Sequence, residues 1–319
     1  MTEPSDTRLY ERMVLILKSK EFWKAVLTGT LTGTAFSVYG FLLFHAGDVA
    51  LGYVLFVLVP FATGFAVAMV TSPMRMLVAN LVITTVVCFA ILLATGREGL
   101  VCCVLAAPIL IVCLFIGAGV ARLLRKFWID RHKNATILKI VALLAMCSTL
   151  KGADFIEQPF RNASRLETVT TVRHFAAPRD QVWQHLKEVG SVAGNKPFLL
   201  QIGLPVPLSC SLSYEGVGAM RRCQFNTGEI LERVDQWAEP ACMRLTIVGN
   251  SLPGRHWLTF KNASYVLAED SGQTMVVRKT TIASRLAPEW YWRPLEHLGV
   301  KSEHDYLLNA VARRLERTP

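Results

Sequence analysis

Four stretches of about twenty residues, Ala25 to Phe44, Ala50 to Val70, Met76 to Ala94 and Leu100 to Ala121, are apolar almost throughout. A hydrocarbon core about 30 Å thick needs about 20 such residues in a helix, so each predicts a membrane span. The charged side chains from Ala25 to Ala121 are Asp48, Arg75, Arg97 and Glu98, all in or beside very short connections. Neighbouring helices are therefore expected to be antiparallel hairpins. A fifth stretch, Thr136 to Leu150, reaches only about 22 Å at a rise of about 1.5 Å per residue, and Lys139 sits in its first turn. The preferred reading is a span with the lysine snorkelling to a headgroup, the alternative a helix lying at the interface. The first half is thus expected to be an all-α transmembrane bundle of four to five spans.

Beyond Lys151 the pattern changes. Residues 151–165 read as a linker, polar and irregular from Gly152. Leu166 to Phe175 is β-branched and alternating, which suits a strand. Pro178 opens a helix with Val182, Trp183, Leu186 and Val189 on one face. Between Phe198 and Leu212, Pro205 and Pro207 exclude a regular helix. Strand-like runs follow at 218–225, 228–237, 243–248, 256–267 and 274–282, separated by turn signals. The chain closes on a helical stretch from about Pro288, read as interrupted near Gly299, with Leu307, Leu308, Val311 and Leu315 at helical spacing. Antiparallel strands with helices at both ends predict an α+β domain over 166–317, a curved sheet wrapped on a long final helix. Residues 1–24 would form a short N-terminal segment and 25–150 the membrane domain.

Charge then fixes orientation. The chain carries 34 Lys+Arg against 24 Asp+Glu, a net charge of +10. The excess flanks the apolar segments, at Arg8, Arg12, Lys18, Lys20 and Lys24 before the first and Arg122, Arg125, Lys126, Arg131 and Lys133 after the fourth. Lys/Arg bias of this kind marks the cytoplasmic side, so the N-terminus is expected there and the first helix to act as an anchor. Five spans would put the C-terminal domain across the plasma membrane, in the periplasm of a bacterium. No reading motif accompanies the charge, so nucleic acid is not an expected partner. Cys88, Cys102, Cys103, Cys113 and Cys147 lie in apolar runs as small hydrophobes. Cys210, Cys223 and Cys242 are odd in number and follow no disulfide spacing, so they are expected to be free thiols. No CxxC, HExxH or paired His spacing is present, and neither a metal nor a cofactor is expected. Gly29 and Gly33 form a Gly-xxx-Gly face, read chiefly as packing within the bundle and otherwise as a homo-oligomer seam.

The order of elements in the second half resembles the helix-grip fold of the START-like superfamily, the polyketide cyclase/dehydrase and lipid transport (SRPBCC) group. The resemblance covers roughly Glu167 to Glu316. It rests on Ala-Pro-Arg-Asp-Gln-Val-Trp (177–183), Gly-Leu-Pro-Val-Pro (203–207), Gly-Val-Gly-Ala-Met-Arg-Arg-Cys-Gln-Phe (216–225), Gly-Glu-Ile-Leu-Glu-Arg-Val-Asp-Gln-Trp (228–237) and His304-Asp305-Tyr306-Leu307. It implies a hydrophobic cavity between sheet and final helix that holds a lipid or another apolar molecule, and membrane-tethered relatives have this arrangement.

Trp183, Phe198, Arg221, Cys223, Phe225, Glu232, Tyr265, Tyr291 and His304 are the candidate cavity residues. Trp290-Tyr291-Trp292 would alternatively sit at a membrane interface. No nucleophile–base pair or carboxylate pair argues catalysis, and His174, His256 and Tyr265 are read as lining or surface before acid–base groups. The expected function is a non-catalytic, membrane-anchored module for an apolar or lipid-like ligand. A small-molecule cyclase or dehydratase using the same cavity, and a sensor or assembly protein docking a partner, are the alternatives. One contact is specified further. A two-residue turn at Asn226-Thr227 sets Phe225 opposite Gly228, Cys223 opposite Ile230 and Arg221 opposite Glu232. A slip by one residue would oppose Arg221 to Arg233, and like charges across a ladder are destabilising. Arg221 and Glu232 are therefore expected to pair on the cavity face as a structural ion pair, Arg221 being also a candidate anchor for a carboxylate or phosphate headgroup.

Overall fold

A computed structural model of the chain describes residues 20–45, 52–94, 100–157, 163–254, 257–270 and 272–316. His256, the basic residues before Lys20, and Asp48, Arg97 and Glu98 lie outside them. The chain divides into two compact units, the first of Met1–Glu98 and Cys103–Arg161, the second of Asn162–Pro319 with the short segment Gly99–Cys102.

The first unit is helical. Helix α1 spans Lys20–His45. A π turn over Val54–Leu58 runs into α2, Val59–Val70. Then come α3, Met74–Ala94, α4, Leu100–Phe127, and α5, Ala135–Glu157. Among the described residues three helices are long and apolar enough to cross a membrane: Met74–Ala94, Leu100–Arg131 and Ala135–Glu157. Val54–Val70 is apolar but shorter. Large apolar side chains such as Leu31, Val86, Val112, Ile116 and Leu144 are exposed. An outward apolar surface of this kind suits a lipid environment.

The fifth segment is longer than its apolar core suggested. Helix α5 has 23 residues, about 34 Å, and takes in the first part of the expected linker. Nothing stops it before Glu157: the stretch has no proline, and Gly152 costs a helix only about 1 kcal/mol. Its last residue closes the unit, because the Glu157 carboxylate accepts the backbone N–H groups of Tyr53 (2.7 Å) and Val54 (3.3 Å) at the start of the π turn.

The Gly29/Gly33 face is occupied within the chain. A Cβ at Gly29 would lie 2.0 Å from Asn80 Nδ2, and one at Gly33 2.7 Å from Thr84. The Asn80 amide donates to the Ala25 carbonyl (3.2 Å) and to Thr71 Oγ1 (3.0 Å), hydrogen-bonding α1 to α3 where the glycines let them approach. Arg125, one of the basic residues that follow the fourth apolar segment, is buried. Its Nη1 donates to the carbonyls of Ala68 (2.7 Å) and Thr71 (2.9 Å), and its Nη2 to Ser72 Oγ (2.9 Å). The carbonyls that end α2 thus find donors from α4.

The second unit is a seven-stranded antiparallel sheet in the order β1-β7-β6-β5-β4-β3-β2. The strands are β1 Arg165–Phe175, β2 Pro207–Leu212, β3 Met220–Phe225, β4 Gly228–Ala238, β5 Cys242–Asn250, β6 Leu258–Asp270 and β7 Gln273–Ser284. Between β1 and β2 lie α6, Arg179–Lys187, and the short α7, Phe198–Gln201. The last helix, α8, is continuous over Glu289–Leu315. The expected interruption at Gly299 is absent. A Cβ there would meet Leu204 at 3.5 Å, an ordinary packing distance, and a single glycine costs a helix only about 1 kcal/mol. Helix α8 packs on β1 and α6, and its Leu307, Leu308 and Val311 join Trp183, Leu245 and Val276 in one buried core. A curved sheet around a long terminal helix is the helix-grip arrangement that the resemblance implied.

Strand β2 lies where the prolines had excluded a helix. Pro207 is its first residue and β2 is an edge strand, both places where a missing N–H is tolerated. Its pairing with β3 sets Cys210 opposite Cys223, and the two form a disulfide with Cα atoms 4.1 Å apart. This overturns the expectation of three free thiols. Without β2 as a strand, Cys210 had no visible partner. Cys242 remains free.

The whole chain has eight cysteines. Thiol titration of the denatured, non-reduced protein is expected to find six reactive thiols. A count of eight would show that Cys210 and Cys223 are not joined.

Candidate functional site

The β3–β4 hairpin turns at Asn226-Thr227 and has the expected register, Arg221 opposite Glu232, Cys223 opposite Ile230 and Phe225 opposite Gly228. The period of two then faces Arg221, Cys223, Ile230 and Glu232 into the fold. Arg221 is 1% exposed. Its Nη1 donates to Glu232 Oε2 at 2.7 Å, its Nε to the Lys187 carbonyl at 3.1 Å, and its Nη2 to the Leu186 carbonyl at 3.2 Å. The expected pair is present, and every nitrogen of the guanidinium is engaged. The two carbonyls belong to the last turn of α6, so Arg221 also caps that helix. Burial works against its charge, but Tyr265 and Glu232 outweigh burial and raise its pKa above the ordinary arginine value. Cys223 Sγ lies 3.7 Å from Glu232 Oε2. A disulfide sulfur has no proton to donate, so this is a packing contact.

A second pair stands across the fold. In β7 the buried positions alternate through Thr274, Val276, Arg278, Thr280 and Ile282. Arg278 Nη2 donates to both oxygens of Glu303 from α8, at 2.8 and 3.1 Å. Its Nε and Nη1 have no hydrogen-bond partner among the described residues. Burial pushes the Glu303 carboxyl above the usual carboxylate range, with Arg278 pulling against it. The Tyr265 ring lies near both guanidiniums, 5.7 Å from Arg221 and 5.3 Å from Arg278.

Beside this pair His304 is fully buried. It shares hydrogen bonds with Thr171 Oγ1 at its Nδ1 (2.9 Å) and with Thr280 Oγ1 at its Nε2 (2.7 Å). Burial, with Arg278 nearby, holds its pKa down to about 2. The imidazole stays neutral at physiological pH and ties β1, β7 and α8 together.

Between the two ion pairs is a cavity of about 40 Å³. Its polar lining is Arg221, Glu232, Arg278, Thr280 and Glu303, with the disulfide of Cys210 and Cys223 alongside. Phe225, Ile247, Phe260 and Leu307 contribute apolar walls. Its volume suits roughly three waters.

Arg221, Cys223, Phe225 and Glu232 of the nine candidates line this cavity. Trp183 is core, edge-to-face with Trp237 at 5.1 Å. Phe198 is exposed on α7, and Tyr265 and His304 are buried just behind the lining. Tyr291 sits with Trp290 and Trp292 in a string of edge-to-face rings, where Trp290 is exposed and Trp292 buried. His174 is exposed on β1. Arg278, Thr280 and Glu303 went unread, although period two in β7 and the four-residue step from Glu303 to Leu307 mark all three as inward.

No protein-family model matches the chain, and no curated protein matches it. Among solved structures, protein Ms6760 of Mycobacterium smegmatis is similar at 18% identity over 50% of this chain and 99% of its own, with a TM-score of 0.33. Norcoclaurine synthase of Thalictrum flavum, solved with dopamine and hydroxybenzaldehyde, is 12% identical over 49% of this chain and 90% of its own, with a TM-score of 0.33. Ara h 8.0201 is 14% identical over 48% of this chain and 100% of its own, with a TM-score of 0.34. Likenesses this low carry no weight for ligand or activity. The fold rests on the strand order and the helix gripped by the sheet.

Replacing Arg221 with alanine leaves Glu232 buried without its cation and uncaps α6. The expected cost is about 3–5 kcal/mol in chemical denaturation followed by tryptophan fluorescence. A loss below about 1 kcal/mol would show that the pair does not hold the hairpin.

Proposed function

We propose that this protein is a membrane-anchored binding module whose START-like half holds a small, mainly apolar molecule and does not transform it. The observation that carries this reading is the cavity between sheet and final helix, with apolar walls and an internal set of ion pairs. An acyl chain does not fit in about 40 Å³, so a lipid would require α8 to part from the sheet. Without movement the cavity fits only a molecule about the size of three waters, and a larger one needs the same parting. The two lining cysteines are joined and each lining glutamate is held by an arginine, which supports holding over reacting.

The membrane side is part of the proposal. Five helical segments are apolar, the basic flanks put the N-terminus in the cytoplasm, and an odd number of spans carries the second unit across. A disulfide in that unit fits an oxidising compartment, which favours the extracytoplasmic side. Catalysis is the second reading, favoured by Glu303, a carboxyl on the cavity wall whose pKa burial raises as a general acid requires.

Reporter fusions after Leu124 and after Ser164 are expected to read opposite sides of the membrane. Matching readings would return the second unit to the cytoplasm. For the ligand, native mass spectrometry of the full chain released gently from membranes is expected to find a small molecule retained unchanged. A chain that retains nothing and binds none of a panel of small aromatic and aliphatic compounds would sink the binding reading, and turnover of a bound compound would favour the enzyme.

A further inference from the structure

The two edges of the sheet differ. At the β2 edge the Cys210 N–H donates to the Val189 carbonyl (2.6 Å) and the Val192 N–H to the Leu208 carbonyl (2.7 Å), so the segment after α6 covers that strand. At the other edge β1 pairs with β7 over all 11 of its residues, and no backbone group of β1 bonds elsewhere among the described residues. Helix α8 meets β1 through the inward side chains Val169 and Thr171. A strand of this length leaves a row of N–H and C=O groups open to a further strand. Its register with β7 has no bulge, and it holds neither proline nor lysine, the usual devices that blunt an edge. The charges on its inward face are unevenly matched. Near its start Arg165 and Arg293 meet three carboxylates, Glu167, Glu289 and Glu296, an excess of one negative charge with His297 counted as neutral. Near its end Arg173 is half-buried on the same face, with no hydrogen bond or ion pair among the described residues.

We infer that the open edge of β1 receives β1 of a second copy of this chain, the two strands running antiparallel about a two-fold axis at Thr170. The partner is a second copy because β1 is complementary to itself. Outward backbone groups and side-chain faces both alternate along a strand, so two copies pair only where odd residues oppose odd and even oppose even. Thr170 is the middle of the strand, and an axis there pairs all 11 residues. It also sets Glu167 opposite the partner's Arg173, twice. The unmatched arginine thereby meets the carboxylate-rich cluster, and opposite charges across a ladder are favourable. One permitted step either way loses this match. An axis at Val169 opposes Arg165 to the partner's Arg173, and one at Thr171 opposes Glu167 to the partner's Phe175. On the outward face the central register pairs Leu166 with His174, Thr168 with Val172 and Thr170 with itself, with no like charges opposed. This interface stands independently of the binding reading.

Native mass spectrometry of the full chain released from detergent is expected to find a dimer at micromolar concentration. Thr170→Lys sets two ammonium groups against each other at the axis, and Arg173→Glu sets carboxylate against carboxylate on both sides of it. Each is expected to weaken the dimer at least tenfold while the native tryptophan fluorescence is kept, since Thr170 is exposed and Arg173 half-buried. Positions 168 and 172 oppose each other across the axis and test the register. Thr168→Lys/Val172→Glu places opposite charges across both pairs and is expected to keep the dimer, whereas Thr168→Lys/Val172→Lys is expected to weaken it at least tenfold. The two double variants alter the same exposed positions, so a general loss of stability would affect both and only the pairing separates them. Equal dimerisation of the two would overturn the register. A native chain that stays monomeric, or a dimer that neither Thr170→Lys nor Arg173→Glu weakens, would overturn the interface.

Discussion

An arginine cut off from water must have its charge matched and its donors filled, and the second unit is arranged around Arg221 meeting that demand. An unpaired buried charge costs several kcal/mol, a large part of the stability of a whole domain. Glu232 supplies the countercharge from the neighbouring strand, and the end of α6 supplies two carbonyls that would otherwise lack donors. One side chain thus fixes the β3–β4 register and the seat of α6 against the sheet. The disulfide one pair along holds β2 to β3, and the sheet's far edge is formed around the same core.

The first unit meets the same demand at its helix ends. A buried helix end has no water to complete it, so its last carbonyls need donors from the protein. Arg125 provides them to Ala68 and Thr71 at the end of α2, with Asp130 at 3.3 Å from its Nε and Lys139 at 2.9 Å from the same carboxylate. Glu157 does the converse at the start of the π turn, offering acceptors to two N–H groups. Charged residues near the ends of apolar segments read as topology signals in a sequence. Here two of them are also the caps that let the connections stay short.

Features that repeat with a period were legible without coordinates. The apolar runs, the alternation in β1 and β3 to β7, and the two-residue turn at Asn226-Thr227 led directly to the helices, most strands and the Arg221–Glu232 pair. What depends on a partner remote in sequence was not. Strand β2 was hidden by Pro205 and Pro207, because a proline excludes a helix without saying whether an edge strand is waiting for it. Losing β2 lost the disulfide as well, since Cys210 gains a partner only when that strand is paired. Phe198 illustrates the opposite error: an aromatic inside a family-like segment was assigned to the cavity, whereas the short α7 turns it to solvent.

Arg278 shows why a candidate site needs geometry even where the pattern is readable. Period two in β7 faces Arg278 inward as surely as it faces Arg221 inward from β3, and both positions look alike in sequence. The difference lies in how many donors each guanidinium has left after folding. Arg221 meets a helix end as well as a carboxylate and is saturated. Arg278 meets a single carboxylate that takes one nitrogen twice, and its other two nitrogens stay unmatched. A saturated arginine lowers the energy of the folded chain, whereas an unsaturated one keeps part of its desolvation cost. That asymmetry divides the two ion pairs into one whose donors the fold fills and one whose donors it leaves partly unfilled.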